Sequence, residues 1–169
     1  RIPEGDRYVR GGRWGSGSFN DLAGVDVSGA TLGIVGLGRI GQSMARLSQG
    51  FRMTVLYAQR HRADAAVERE LNATYVSFEE LLERSDFVSV HAPSTPETRH
   101  LIGPDAFAKM KPTAILINAS RGPVVDTDAL VAALESGEIL AAALDVTDPE
   151  PLPADHPLVS IANCIVVPH

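Results

Sequence analysis

From Thr31 onward, short apolar runs alternate with stretches whose apolar positions recur at helical spacing. The runs predicted to form strands are Leu32–Val35, Met53–Tyr57, Phe87–Val90, Ala114–Ile117, Ala141–Val146 and Ile165–Val167, with a short edge strand at Tyr75-Val76. The stretches predicted to form helices are about 39–50, 62–72, 78–84, 104–109 and 126–136. Alternating strands and helices are typical of βαβ units, and runs that are apolar at nearly every position fit strands buried on both faces. The pattern predicts an α/β domain built on a parallel sheet.

Local signals support two of the helix ends and set the first part of the chain apart. Ser77-x-x-Glu80 predicts a capping box at the start of the third helix, and Gly137 predicts a left-handed cap after the fifth. Residues 1–30 include the glycine-rich stretch RGGRWGSG at 10–17 and show no core periodicity. We therefore expect a linker or surface-covering arm at 1–30 and a single domain at 31–169.

The turn between the first predicted strand and the first predicted helix matches G-x-G-x-x-G, as Gly36-Leu37-Gly38-Arg39-Ile40-Gly41. In such a turn Gly36 allows the tight bend, Gly38 lets the backbone approach a pyrophosphate, and Gly41 lets the helix pack against the strand. Arg39 and Ile40 open the helix, where free N–H groups and the helix dipole favour an anion. Similar glycines occur in turns without a ligand, but the flanking strand and helix favour dinucleotide binding by a Rossmann-type doubly wound parallel sheet.

The end of the second predicted strand decides which dinucleotide is bound. NAD sites place an Asp or Glu there to bond the ribose 2′-hydroxyl. This chain instead reads YAQRHR at 57–62, without a carboxylate. A carboxylate would repel a 2′-phosphate, whereas Arg60 and Arg62 would bind it through charge-assisted hydrogen bonds. We therefore predict NADP, contacted by Gln59, Arg60 and Arg62; the alternative is NAD, with both arginines merely solvated.

Composition narrows the class of protein. With 44% hydrophobic and 21% charged residues, the chain has the balance of an ordinary soluble globular domain. The net charge of −6 and the lack of a basic cluster argue against a nucleic-acid or anionic-membrane partner. No apolar stretch is long enough to span a bilayer or resembles a signal peptide, and the single cysteine, Cys164, reads as a buried small apolar residue. We expect a cytoplasmic protein without a metal, since metal-ligand spacing is absent.

Longer blocks of sequence carry a family resemblance. They are LGIVGLGRIGQ (32–42), SDFVSVHAPSTPETRHLI (85–102), MKPTAILINASRGPVVDTDAL (110–130), LAAALDVTDPEPLPADHPL (140–158) and NCIVVPH (163–169). In this order they resemble the D-isomer-specific 2-hydroxyacid dehydrogenases from about Trp14 to the last residue. Within that family, YAQRHR and the 144–158 block are most similar to the glyoxylate/hydroxypyruvate reductases.

The resemblance implies an oxidoreductase that transfers a hydride between NAD(P)H and a short 2-keto acid. It also implies a two-domain homodimer, in which the coenzyme domain is inserted into a substrate domain. The arm at Trp14–Leu22 is a candidate for reaching across to the partner, because it has a Trp and a Phe without a core pattern and aromatic residues are enriched at interfaces. We expect this chain to be the coenzyme domain of a longer protein and to be inactive by itself. The alternative is a dinucleotide-binding module or regulatory relative that has lost catalysis, because a fold does not fix a function.

The family's catalytic residues correspond to Arg121, Glu150 and His169 in this chain. Each suits the reduction of a 2-keto acid. The planar fork of Arg121 holds the substrate carboxylate through two parallel hydrogen bonds. His169 is the natural proton donor to the ketone oxygen, since the reference pKa of histidine, about 6.5, lies near working pH. A carboxylate such as Glu150, bonded to one imidazole nitrogen, fixes the tautomer and favours the protonated ring.

The resemblance implies further coenzyme contacts at the ends of the later strands. These are Ala92 and Pro93, after His91, beside the adenosine or its ribose, Thr98 near a phosphate or ribose, Ala119, Ser120 and Arg121 along the nicotinamide ribose, and Asp145 at the nicotinamide carboxamide or ribose. His100 and His156 are interpreted as surface residues without a role.

Overall fold

The computed structural model describes residues 1–15 and 22–169. Its strands are β1 (Thr31–Val35), β2 (Thr54–Ala58), β3 (Ala73–Tyr75), β4 (Phe87–Val90), β5 (Ile115–Asn118), β6 (Ala141–Leu144) and β7 (Cys164–Val166). Its α-helices are α1 (Ile2–Arg10), α2 (Arg39–Ser48), α3 (Ala65–Leu71), α4 (Phe78–Arg84), α5 (Pro104–Phe107), α6 (Thr127–Ser136) and α7 (Pro157–Ser160). Short 3₁₀ turns lie at Gln49–Phe51 and Gly122–Val124.

The strands form one parallel sheet in the order β3-β2-β1-β4-β5-β6-β7. The chain moves outward from β1 to β3, returns to pair β4 with β1, and then moves outward in the other direction. The predicted Rossmann-type sheet is confirmed. Its strand order reverses between β1 and β4, and ligands of doubly wound sheets bind at such a reversal, beyond the carboxyl ends of the strands.

The predicted strands are confirmed with small shifts of their ends. β4 has the predicted bounds, whereas β6 ends at Leu144, two residues before the predicted end at Val146. Val146 is 2% exposed, so its apolar character reflects burial and not membership of the strand. The predicted edge strand also lies slightly earlier, at Ala73–Tyr75.

Of the two predicted helix-end signals, the left-handed cap is confirmed and the capping box is confirmed in part. Gly137 has φ of 73° and ends α6 in the left-handed region, as predicted. Ser77 Oγ accepts a hydrogen bond of 3.0 Å from the Glu80 backbone N–H. The Glu80 carboxylate forms an ion pair with Arg84, however, and so the second bond of the capping box is replaced by an i,i+4 pair.

Within the predicted linker or surface-covering arm at 1–30, residues 2–10 form a helix, α1, which the sequence did not predict. None of the side chains of this helix is buried, and Asp6 and Arg10 pair at 2.9 Å across one turn. Its sequence, IPEGDRYVR, is mostly polar and contains a proline and a glycine, which made it read as part of a linker. Of the arm at Trp14–Leu22, residues 16–21 lie outside the described residues.

Apolar side chains pack on both faces of the sheet. One cluster extends from β2 across β4 and β5 to α5 and α6, and a second joins β1 and β2 to α2 and α3. Cys164 is only partly buried, and desolvation raises the pKa of its thiol to about 11, so it packs as a small apolar residue. None of the described helices combines the length and the apolar character that crossing a bilayer requires.

Candidate active site

The residues singled out in the sequence lie along one edge of the sheet. Gly36 follows β1, Gln59 follows β2, His91 follows β4, and Ala119 follows β5. Asp145 follows β6, and the segment after β7 leads to His169. Because all the strands are parallel, these positions share the carboxyl edge, where the strand order reverses.

The glycine turn after β1 has the shape that a pyrophosphate cradle needs. Gly36 has φ of 97°, and a Cβ there would lie 3.1 Å from the backbone of His91. A Cβ at Gly41 would lie 2.3 Å from the Gly36 carbonyl oxygen, so only glycine lets α2 pack this closely. A Cβ at Gly38 would meet nothing within 4 Å, which leaves open space at the start of α2. These residues fit a dinucleotide phosphate at the free N–H groups of the helix.

Gln59, which follows the neighbouring strand β2, is hydrogen-bonded to the glycine turn. Its side-chain Oε1 accepts a hydrogen bond of 2.8 Å from the Leu37 backbone N–H, and its Nε2 donates to the His61 carbonyl at 2.7 Å. Both ends of the amide are therefore engaged by backbone groups. Gln59 links the glycine turn to the stretch that would meet the coenzyme ribose.

The two arginines of this stretch differ in their surroundings. Arg60 is exposed, and its side chain has no ion pair or hydrogen bond within residues 1–15 and 22–169. Its charge nevertheless contributes, after a hydrogen bond from Thr95, to the lowered pKa of Glu97. Arg62 is not simply solvated, because its Nε and Nη2 donate to the two carboxylate oxygens of Glu68 at 2.8 and 2.9 Å. The stretch 57–62 contains no carboxylate, but the fold brings one to it from α3.

A buried asparagine shapes the loop that carries Arg121. Asn118, at the end of β5, is 1% exposed. Its Nδ2 donates to the Arg121 carbonyl at 3.1 Å, and its Oδ1 accepts from the N–H and the hydroxyl of Ser120 at 3.1 and 2.9 Å. The Arg121 side chain is exposed at the sheet edge, with Nη1 donating to the Ser120 carbonyl at 2.7 Å. Asn118 therefore fixes the backbone from which Arg121 projects, a role that the sequence analysis missed.

His169 and Glu150 form a direct pair. His169 Nδ1 lies 2.7 Å from Glu150 Oε1, and the Thr147 backbone N–H donates to Glu150 Oε2 at 3.2 Å. The hydrogen bond with His169, followed by that from Thr147, holds the pKa of Glu150 below its usual range. The charge of Arg121 adds a smaller contribution in the same direction. With Nδ1 engaged by the carboxylate, Nε2 is the ring nitrogen that remains for a substrate.

The other residues carried over from the family have structural contacts of their own. Thr98 Oγ1 donates to the Pro93 carbonyl at 2.6 Å and accepts from the Thr95 N–H at 2.8 Å, so it braces the loop after β4. Ala92 is 7% exposed and packs beneath the glycine turn. The Asp145 backbone N–H donates to the Asn118 carbonyl at 3.0 Å, which places the end of β6 beside the start of the Arg121 loop.

The two histidines expected to have no role both have local ones. His156 is the N-cap of α7, where its Nδ1 accepts a hydrogen bond of 3.2 Å from the Leu158 N–H. His100 has φ of 51°, and its Nδ1 lies 3.4 Å from the Asp126 carboxylate. Sequence spacing did not indicate either contact, since the first depends on a short helix and the second on tertiary packing.

Comparison with known proteins identifies the family of the chain. Residues 1–169 match the family described as D-isomer specific 2-hydroxyacid dehydrogenase, NAD binding domain. Glyoxylate/hydroxypyruvate reductase B of Shigella boydii serotype 4 is 52% identical over 171 residues, which cover 100% of this chain and 52% of that protein. Glyoxylate reductase of Korarchaeum cryptofilum is 50% identical over 170 residues, with 100% and 51% coverage. Among solved structures, the TT0316 protein from Thermus thermophilus matches with a TM-score of 0.92 and 45% identity, covering 100% of this chain and 52% of that one.

The chain thus spans about half the length of the curated relatives it matches. The family match, in contrast, extends over the whole chain, and the solved relative shares its fold at high identity. The chain belongs to the D-isomer-specific 2-hydroxyacid dehydrogenase family and corresponds to its NAD-binding domain.

Proposed function

We propose that the full-length protein reduces a short 2-keto acid, of the glyoxylate or hydroxypyruvate type, with a hydride from NAD(P)H. The observation that carries this proposal is the 2.7 Å pair of His169 and Glu150 at the sheet edge that also presents Arg121. The names of the two relatives, glyoxylate/hydroxypyruvate reductase B and glyoxylate reductase, support this substrate class. A binding module without turnover would have no use for a proton donor held in this way.

Arg121, His169 and Glu150 each have a separate role in the proposed reaction. The bound coenzyme supplies the hydride that the keto carbon receives. Arg121 binds the substrate carboxylate through its exposed guanidinium and so orients the keto group. His169 gives the proton on Nε2 to the ketone oxygen as that oxygen gains charge, which yields the 2-hydroxy acid. Glu150 holds Nδ1 of the ring and stabilises the imidazolium before the proton is transferred.

The coenzyme would lie along the carboxyl edge of the sheet. We propose that its pyrophosphate meets the turn at Gly36–Gly41 and its adenosine ribose meets Gln59, Arg60 and Arg62. The remaining contacts in this proposal are Ala92, Pro93, Thr98, Ala119, Ser120, Arg121 and Asp145. Open space over Gly38 and the exposure of Ala119 and Arg121 support this path.

Two broader expectations complete the proposal. We propose a homodimer. Trp14 supports it, because this side chain is 81% exposed and aromatic side chains are enriched at interfaces. The cytoplasmic location stays a prediction from the composition of the sequence.

The coenzyme preference is the first testable outcome. We expect NADPH to be used with about tenfold higher kcat/KM than NADH, since the exposed Arg60 has no carboxylate bonded to it and favours a 2′-phosphate. The measurement is initial-rate kinetics of the full-length protein with both coenzymes and a panel of 2-keto acids. Higher kcat/KM with NADH would contradict the preference, and the absence of turnover with every keto acid would contradict the proposed reaction.

Glu150→Gln is expected to change the pH dependence of the reduction. The reaction needs a protonated imidazole, so the rate is high at acidic pH and falls as the ring loses its proton. Because the pKa of Glu150 is held below its usual range, its carboxylate is ionised at neutral pH. A carboxylate bonded to one imidazole nitrogen favours the protonated ring. Glutamine keeps a hydrogen-bond partner but removes that charge. We expect the fall in kcat to move to lower pH, with about a tenfold loss at neutral pH and a smaller loss at acidic pH.

The pH profile of kcat from acidic to alkaline pH measures this effect. Glu135→Gln is the matched control, because it removes one exposed carboxylate of α6 without touching His169. A Glu150→Gln profile that coincides with that of the unmodified protein would show that the carboxylate does not act on the ring.

A further inference from the structure

An ionised carboxylate stands directly behind the basic stretch that would meet the coenzyme ribose. Glu68, in α3, receives both hydrogen bonds of the Arg62 guanidinium at 2.8 and 2.9 Å. The Glu68 side chain is 12% exposed and the Arg62 side chain 66% exposed, so the arginine covers the carboxylate. Only one edge of the guanidinium is used by this pair. Its Nη1 group remains available for a further acceptor.

Glu68 is fixed from its other side by a buried phenol. The Tyr57 hydroxyl, on a ring that is 0% exposed, donates to Glu68 Oε1 at 2.6 Å and accepts from the Ala63 N–H at 3.0 Å. The hydrogen bonds from Arg62 and then from Tyr57 hold the pKa of Glu68 at about 2. The carboxylate is therefore negatively charged at every pH at which the protein would be assayed.

The same network reaches the residue that follows β2. The Tyr75 hydroxyl donates to the Gln59 carbonyl at 3.1 Å, and the Arg62 guanidinium lies 5.9 Å from the centre of the Tyr75 ring. Gln59 in turn holds the glycine turn through Leu37. The Arg62–Glu68 pair is thus tied to the place where a 2′-hydroxyl or a 2′-phosphate would lie. Arg60 lies in the same stretch without a bonded carboxylate among the described residues, although its charge also acts on Glu97.

We propose that Glu68 is a specificity-determining residue for the coenzyme, because it cancels the charge of Arg62 and so limits the preference for a 2′-phosphate. The inference rests on the proposed binding of NAD(P) at this edge. A sequence motif confined to residues 57–62 gives two positive charges, whereas in the folded site Glu68 offsets the charge of Arg62. Arg60 then carries most of the attraction for a 2′-phosphate, and Arg62 acts as half of a neutral pair.

Glu68→Gln tests this proposal with little change of shape. The glutamine Oε1 can still accept from Tyr57 and from Arg62, while the negative charge is removed. We expect the ratio of the Kd for NADH to the Kd for NADPH to rise about 3- to 10-fold in the full-length protein, and less at high salt. Fluorescence titration of each coenzyme, without a keto acid, measures both values independently of catalysis.

Glu70→Gln is the matched control. It removes one carboxylate from the same helix, but Glu70 pairs with Arg46 at 2.8 Å and not with the basic stretch. We expect its Kd ratio to equal that of the unmodified protein. Equal ratios in Glu68→Gln and Glu70→Gln would overturn the proposal. A lower ratio in Glu68→Gln would also overturn it, since the carboxylate would then assist the binding of the phosphate by holding Arg62.

A second pair of variants keeps the test independent of how well Glu68→Gln folds. Arg62→Gln leaves Glu68 uncompensated and should lower the Kd ratio, whereas Arg62→Gln combined with Glu68→Gln should restore it to near the original value. If the double variant had a Kd ratio as low as that of Arg62→Gln, the neutral-pair account would be overturned. If the unmodified protein bound neither NADH nor NADPH, the proposed function itself would fail, which is a separate outcome from equal ratios among proteins that bind both.

Discussion

Replacing His169 by alanine in the full-length protein is expected to lower kcat for 2-keto-acid reduction by about 100-fold or more, the usual size of a general-acid contribution. The imidazole is the group whose Nδ1 is bonded to Glu150 at 2.7 Å, which leaves Nε2 to donate the proton. Without the ring, the ketone oxygen would have to take its proton from water. Stopped-flow or steady-state oxidation of the reduced coenzyme at saturating keto acid measures the loss.

The binding of the coenzyme should barely change in the same variant. The glycine turn follows β1, whereas His169 follows β7, with β4, β5 and β6 between them. His100→Asn provides a matched control, because His100 is exposed at the same edge and asparagine tolerates its φ of 51°. We expect its kcat to stay within about twofold of the unmodified value, since its side chain pairs only with Asp126. A loss of less than tenfold in His169→Ala would show that another group supplies the proton.

The elements of the core were predictable because burial leaves a periodic signal. β4 and α4 have the predicted bounds, since their apolar positions face the interior. α1 was not predicted, because its sequence, IPEGDRYVR, is mostly polar and contains a proline and a glycine, and none of its side chains is buried. The predicted ends of β6 and α3 were wrong. Val146 is buried although it follows the strand, and α3 begins at Ala65 with Asp64 as its N-cap.

In the candidate site, too, some features could be predicted from the sequence and others could not. The glycine turn could be predicted locally, because its spacing, strand and helix are contiguous in sequence. Glu150 and His169 are 19 residues apart, and only the family resemblance suggested that they pair. The contact of Glu68 with Arg62 spans six residues, and the bonds of Asn118 span two and three. Both were missed, because the backbone conformation of each loop decides which nearby side chains meet. A polar residue at the end of the apolar run 114–117 was the one available signal for Asn118.

The loops that carry Arg121 and Glu150 pack closely against each other at Gly122. A Cβ at Gly122 would lie 1.9 Å from the Thr147 carbonyl oxygen and 2.3 Å from its carbonyl carbon, both backbone atoms. The Thr127 hydroxyl donates to the Asp148 carbonyl at 2.7 Å and adds a second contact between the two segments. Because Thr147 also donates its N–H to Glu150, the position of the carboxylate depends on how closely the two loops approach.

Gly122→Ala is therefore expected to lower kcat/KM for the keto acid by about 100-fold, because separating the loops by about 1 Å misplaces Arg121 relative to Glu150 and His169. Both parameters should change, with KM raised by the displaced anchor and kcat lowered by the displaced acid. The overpacked loops should also reduce the free energy of unfolding by about 1–3 kcal/mol, so the kinetics must be measured well below the midpoint of thermal unfolding. Gly50→Ala is the control, since a Cβ there meets nothing within 4 Å and the residue lies in the 3₁₀ turn after α2. A folded Gly122→Ala protein with the kcat/KM of the control would mean that the spacing of the two loops does not set the geometry of the reaction.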